Sequence, residues 1–146
     1  MGAPRGMVVQ ESTLWATGTV AGLAILGASA GSAVVLTSQL TPASFASALF
    51  IAIFLSCAFA MQLYRRGLDH STLVGGLAGF ASVFAFFAAP SAANLAQGYT
   101  VDLAGLATLL VVPALVAGAI SAGGTLFLAR GVRQYREKHG LVHAPR

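Results

Sequence analysis

The sequence predicts an all-α integral membrane protein, a single bundle of four transmembrane helices with up-down topology. Composition is the first reason. Only 8% of the 146 residues are charged and the mean hydropathy is +0.82, whereas a typical soluble domain has about 25% charged residues. Length is the second reason. Four apolar stretches can each cross a hydrocarbon core of about 30 Å at a rise of about 1.5 Å per helical residue.

The predicted spans cover residues 14–36, 45–63, 72–95 and 103–128, and none of them contains Asp, Glu, Lys, Arg or His. A charge at the centre of a span would cost about 2.5–3.5 kcal/mol. Transmembrane β-strands are shorter, about 10 residues, and alternate polar with apolar side chains. These continuous apolar runs therefore favour helices. The whole chain is then one transmembrane domain, residues 1–146, with a basic C-terminal tail at residues 129–146.

The first span is predicted to be a retained helix rather than a signal peptide. Its apolar run, residues 14–36, exceeds the roughly 7–15 apolar residues of a signal peptide. The charge that precedes it is Glu11, which has the wrong sign for a signal sequence. A short loop with Pro42 leads into the second span, and proline suits a first helical turn.

The stretch "RRGLDHSTL" joins the second and third spans. Asp69, His70 and Ser71 have the side chains of a hydrolytic triad, but consecutive residues point in different directions and do not face one another. We interpret the stretch as a loop in which Gly67 ends the second helix. A polar residue, Asp69, Ser71 or Thr72, is expected to cap the third.

Glycine, proline and polar residues also mark the last two spans. Gly98 is expected to end the third helix, and Thr100 or Asp102 to cap the fourth. Pro90 and Pro113 lie within these spans, where each removes a backbone hydrogen bond and predicts a kink. Such a kink either shapes helix packing or opens a cavity for a substrate.

Small residues recur at helical spacing and predict close helix contacts. The first and third helices are expected to form the tightest pair. The residues assigned to helix packing are Gly18, Gly22, Gly27, Gly31, Gly75, Gly79 and Gly118. Phenylalanines also share helix faces, directed either to lipid or to a protein partner: Phe50 with Phe54, and Phe80 with Phe84 and Phe87.

The basic residues predict the orientation in the membrane. With four spans, all eight lie on the side of both termini and the middle loop, which the positive-inside rule assigns to the cytoplasm. The net charge of +4 then reports topology and not a nucleic-acid surface. The predicted location is the plasma (cell inner) membrane, or an organelle inner membrane in a eukaryote. Residues expected to contact lipid headgroups or a docking partner are Arg65, Arg66, Arg130, Arg133, Arg136 and Lys138.

No catalytic, metal or cofactor site is predicted, so the chain is not expected to be an enzyme. His70, His139 and His143 lie outside the spans, and no span contains a carboxylate that could relay protons. Uncharged polar residues remain inside the spans. Among them, Asn94, Thr108 and Ser121 are the candidates for a solute path.

Two functions remain open at this point. The first is a non-catalytic accessory or structural subunit of a larger membrane complex, respiratory or transport-related, whose partners are the lipid bilayer and other membrane subunits. It agrees with the uncharged spans and the small-residue packing. The second is a self-associating channel or transporter for a small solute. It agrees with the prolines and the hydroxyl groups within the spans.

Overall fold

The computed structural model describes residues 5–36, 41–65, 70–100 and 102–140, and their regular structure is entirely helical. The four helices are α1 (Arg5–Leu36), α2 (Pro42–Arg65), α3 (Ser71–Ala96) and α4 (Leu103–Lys138). In the described part of the chain, three helices are long and apolar enough to cross a membrane, over Thr13–Val34, Ser71–Ala96 and Ala104–Lys138. The apolar part of α2, Ala46–Gln62, is shorter. The all-α prediction is confirmed, with three membrane-length helices and a shorter fourth.

Two helices extend beyond the predicted apolar spans. Helix α1 begins at Arg5, and α4 continues through the predicted tail to Lys138. Residues such as Arg, Gln, Glu and Lys are good helix formers, so a change from apolar to polar residues does not end a helix. Helix α4 stops where Gly140 adopts a left-handed φ of 63°, the conformation that favours glycine at a helix C-terminus.

The predicted helix boundaries are observed in the loop between α3 and α4, whereas the cap predicted at the start of α3 is not. Gly98 has a φ of 84° just after α3, and the Asp102 carboxylate accepts a hydrogen bond of 3.2 Å from the Ala104 N–H at the start of α4. At the start of α3 the capping position belongs to His70, whose side chain makes no capping hydrogen bond. Ser71 is already helical, and the predicted Gly67 and Asp69 lie outside the described residues.

Helix α3 is the centre of the bundle. It packs against all three other helices, most extensively against α1 and α4, whereas the contacts of α2 with its own three partners are smaller; α1 and α4 do not touch each other within the described ranges. Gly75 and Gly79 lie opposite Thr125 and Ser121, so α3 and α4 are antiparallel. The helices therefore form a ring in the order α1, α2, α4, α3, and α2 and α3 also meet across its middle.

Two glycines of α1 bring its backbone against α3. A Cβ atom added to Gly27 would overlap the carbonyl group of Ser82, and one added to Gly31 would overlap the carbonyl group of Phe86. Each glycine thus turns a Cα–H group toward a backbone oxygen, a contact that close helix pairs favour. Because residue numbers rise together along both helices, α1 runs parallel to α3.

Gly18 and Gly22, which were also assigned to helix packing, do not take part in this contact with α3 and instead line a small groove beside Phe59 of α2. A Cβ atom on either residue would meet nothing within 4 Å. Nine residues separate Gly18 from Gly27, about two and a half turns at 3.6 residues per turn. The two glycine pairs therefore lie on opposite faces of α1, and only one pair can face α3.

Small side chains fill the interior and large ones lie outside. The core cluster is Val83, Ala114 and Ala117, against which partly buried residues of α2 and α3 pack. Phe50 is 71% exposed and Phe127 is 77% exposed. Large exposed apolar surfaces are costly in water but suit a hydrocarbon solvent, so the packing supports a helical membrane protein.

The glycine contact between α1 and α3 gives a direct stability test. We expect Gly31→Ala to lower the free energy of unfolding by about 1–3 kcal/mol, the usual cost of overpacking, because its Cβ meets backbone atoms that cannot rotate away. The matched control is Gly22→Ala on the same helix, which should be neutral or slightly stabilising because alanine is the better helix former. Unfolding in detergent followed by circular dichroism measures both. Equal losses in the two variants would contradict the assigned contact.

Candidate functional site

Ser121 lies apart from the other two residues of the predicted solute path. Asn94 is exposed near the end of α3, and Thr108 is exposed near the start of α4. The Thr108 hydroxyl donates to the Ala104 carbonyl of its own helix at 3.2 Å. Ser121 is fully buried and lies thirteen residues further along α4, about 20 Å away at 1.5 Å per residue.

Ser121 belongs to a buried polar cluster where α2, α3 and α4 meet. The cluster consists of Cys57, Ser121 and Thr125, all buried, and the buried Ser56 precedes Cys57 on α2. Thr125 Oγ1 donates to the Ser121 carbonyl at 2.8 Å, and Cys57 Sγ approaches the same oxygen at 3.4 Å. The Ser121 carbonyl therefore links α4 to α2 and is the centre of the cluster.

Glycines on neighbouring helices make room for these polar groups. Gly75 faces the Thr125 hydroxyl and Gly79 faces the Ser121 hydroxyl, while a Cβ on Gly124 would lie 2.8 Å from Cys57 Sγ. Ser121 Oγ is the one buried side-chain oxygen or nitrogen of the described residues that lacks a hydrogen-bond partner. An unpaired buried hydroxyl costs about 1–3 kcal/mol.

The chemistry of this cluster is that of interhelical contact. It contains hydroxyls and one thiol and no carboxylate or imidazole, so it offers no general base. In the described ranges, no group of three His, Cys, Asp or Glu residues is placed to hold a metal ion. At the start of α3, His70 is exposed and Ser71 is buried, so these two neighbours point apart as expected from their adjacency.

An apolar groove lies between α1, α2 and α3, and the sequence did not predict it. Helices α1 and α2 both pack on α3, and a cavity of about 330 Å³ lies between the three helices. Leu26, Ile51 and Phe86 form its walls, and small residues such as Ala30 and Ala48 widen it.

The hydroxyl groups at the edge of the apolar groove are satisfied by their own helices. Ser47 Oγ donates to the Ala43 carbonyl at 2.8 Å, and Ser82 Oγ donates to the Gly79 carbonyl at 3.1 Å. The Phe86 and Phe87 rings meet edge to face, 5.3 Å apart, on the third side. The groove therefore presents hydrocarbon and no free donor from either serine to an occupant.

A second groove, of about 680 Å³, runs along the outside of α3 and α4. Gly76 and Gly118 form its floor, Leu73 and Leu115 stand beside it, and His70 lies at one end. Phe80 and Phe84 of the same α3 face stack with ring centroids 5.8 Å apart. Both grooves follow from small residues beside large ones, the signal from which sequence reasoning could have found them.

The predicted docking residues lie at one end of the bundle. Arg65 is the last residue of α2, and Arg66 lies outside the described residues. The others form the basic extension of α4, residues 130–138, in which Arg130, Arg133, Arg136 and Lys138 are exposed. Arg133 Nε makes an ion pair of 3.2 Å with Glu137, one helical turn further on.

Comparison with known proteins found no similarity. No protein-family model, curated protein or solved structure matched the chain.

The unpaired Ser121 hydroxyl predicts an asymmetry between two substitutions in the cluster. Ser121→Ala should leave the free energy of unfolding unchanged or raise it by up to about 1 kcal/mol, because it removes a buried hydroxyl that has no partner. Thr125→Val keeps the shape of the side chain but removes its hydrogen bond to the Ser121 carbonyl. This substitution should lower the free energy of unfolding by about 0.5–1.5 kcal/mol. Detergent unfolding curves compare the two. A larger loss for Ser121→Ala would show that its hydroxyl makes a stabilising bond.

Proposed function

We propose that the chain is a non-catalytic accessory subunit of a larger membrane complex. In this proposal all four helices span the bilayer, with both termini in the cytoplasm. The single observation that carries it is the apolar groove between α1, α2 and α3, because a cavity of about 330 Å³ leaves its lining without dispersion contacts unless something fills it. An apolar helix of another subunit would supply them.

The exposed face beside the groove supports the same proposal. Ile51 lines the groove and is 55% exposed, and its neighbours Phe50 and Phe54 project outward from α2. Helix association in lipid depends on dispersion and shape rather than on hydrophobic burial. Aromatic side chains at the rim of a groove give a partner helix a large contact surface.

The alternative function, a self-associating channel or transporter, has weaker support. Eight described hydroxyl groups donate to carbonyls within their own helices. The hydrogen of such a hydroxyl is already engaged in a hydrogen bond to the backbone, so the group is a poor donor to a passing solute. Ser121 keeps a free hydroxyl, but it is enclosed between α4 and Gly79.

Extraction of the protein from its native membrane in mild detergent tests the proposal. We expect other membrane polypeptides to migrate with it in fixed stoichiometry. Ala30→Phe should abolish this association, because Ala30 is exposed and lines the apolar groove, and a phenyl ring there would occupy the partner's space. Ala21→Phe is the matched control, since Ala21 is an exposed residue of α1 that is not part of the groove.

Isolation of a lone homo-oligomer would contradict the subunit proposal and favour the channel. The next measurement would then be solute flux in reconstituted vesicles. Loss of flux in Thr108→Val or Asn94→Leu, with folding unchanged, would support a path along those residues. Equal loss of the partner in Ala30→Phe and Ala21→Phe would instead show that the groove is not the docking surface.

A further inference from the structure

Helix α4 is longer than the membrane is thick. Its 36 residues extend about 54 Å at 1.5 Å per residue. A bilayer with its headgroups measures about 40–45 Å. If α4 crosses the membrane, it must therefore either tilt or project from the membrane at one end. The packing against α3 indicates which end would project.

The projecting part is the basic extension. Gly75 lies opposite Thr125 and Gly79 opposite Ser121, so one further turn in the same register brings Ser71 level with Ala129. Both of these residues are buried. From Arg130 onward α4 has passed the first residue of α3, and every residue to Lys138 is exposed except the half-buried Val132.

The basic extension is helical over its whole length and carries a net positive charge. It contains four basic residues and one acidic residue, a net charge of +3. Its end is well formed, because the Tyr135 and His139 rings stack at 4.2 Å and the His139 N–H donates to the Tyr135 carbonyl. Arg136 and Lys138 in the last turn also complement the negative end of the helix dipole.

We propose that the basic extension binds anionic phospholipid headgroups of the membrane that α4 crosses. Charge complementarity carries the proposal. Arg130 and Arg133 follow the apolar part of α4 within about one turn, which brings them inside the Debye length of about 8 Å from the headgroup layer. Arginine side chains are long enough to extend toward phosphates and bind them through paired N–H groups.

An acidic protein surface is a less suitable partner for this arrangement. Two of the three arginines, Arg130 and Arg133, stand next to the apolar segment, where headgroups are present and a soluble protein would have to displace them. Glu137 is the acidic residue of the basic extension and lies in its outer half between Arg136 and Lys138, where it lowers the positive charge that an acidic protein surface would meet. This inference requires that α4 cross a membrane and is independent of whether a partner subunit exists.

Native mass spectrometry of the full chain tests the proposal. The protein is released from nanodiscs that contain equal amounts of phosphatidylglycerol and phosphatidylcholine, and the retained lipids are counted. A basic residue near a membrane surface contributes about 1 kcal/mol, which is about a fivefold preference. We expect at least about fivefold more phosphatidylglycerol than phosphatidylcholine on the wild-type chain. Equal retention of the two lipids on the wild-type chain would overturn the proposal.

Three further arms separate charge from fold. Replacing Arg130, Arg133 and Arg136 by Gln should bring retention of the two lipids close to equal, whereas replacing the same residues by Lys should keep most of the preference. Raising the salt to about 1 M shortens the Debye length to about 3 Å and should lower the wild-type preference without any substitution. An unchanged preference in the folded Gln variant would overturn the proposal. So would an acidic polypeptide that binds the wild-type extension while the two lipids are retained equally.

Discussion

Backbone contact at glycines is the interaction on which the rest of the bundle depends. Lipid is as apolar as a leucine side chain, so helices in a membrane gain little from hiding apolar surface and must gain from close approach. Helix α3 uses glycine contacts on two sides. Gly27 and Gly31 of α1 rest on its carbonyl groups, and its own Gly75 and Gly79 receive the hydroxyl-bearing residues of α4.

These glycine contacts explain why many buried side chains are small and several are polar, while many large apolar side chains are exposed. A helix pair held at backbone distance has room for Ser, Thr, Cys and Ala, and these are the residues buried in the contacts of α3 and α4. Hydroxyls are tolerated there because most of them donate to a carbonyl of their own helix. Ser121 is the exception, and its unpaired hydroxyl faces Gly79.

The sequence predicted the helices and the small-residue faces well because both depend on local pattern. Hydropathy identified the apolar segments, and turn chemistry identified Gly98 and Asp102 as helix boundaries. Helical spacing of small residues identified the glycines of the helix contacts, Gly27, Gly31, Gly75 and Gly79. It did not show that α3 is central, because periodicity tells which residues share a face but not which helix meets that face. It also grouped Gly18 with Gly27, although their spacing of nine residues already places them on opposite sides of α1.

The apolar groove and the true ends of α1 and α4 were missed for two further reasons. The groove lies between three helices, and the way in which separate helices come together has no local signature in sequence. The helix ends were missed because polar residues mark where lipid ends rather than where the helix ends. Five of the nine residues from Arg130 to Lys138 are Arg, Glu or Lys and a sixth is Gln, all good helix formers, so α4 continues through them, Gly131 included, until Gly140.

The glycine register of α3 and α4 also determines how far the basic extension stands from the membrane. Sliding α4 by one turn toward the end of α3 would move Ser121 from Gly79 to Val83, where a branched side chain leaves no room for it. Sliding it one turn the other way would bring Thr125 against Ser71 in place of Gly75. The contacts at Gly75 and Gly79 therefore fix α4 along its axis, and with it the distance by which Arg130 extends past Ser71, the first residue of α3. In the proposed membrane arrangement, a packing motif between helices would thus set the position of the charged surface beyond them.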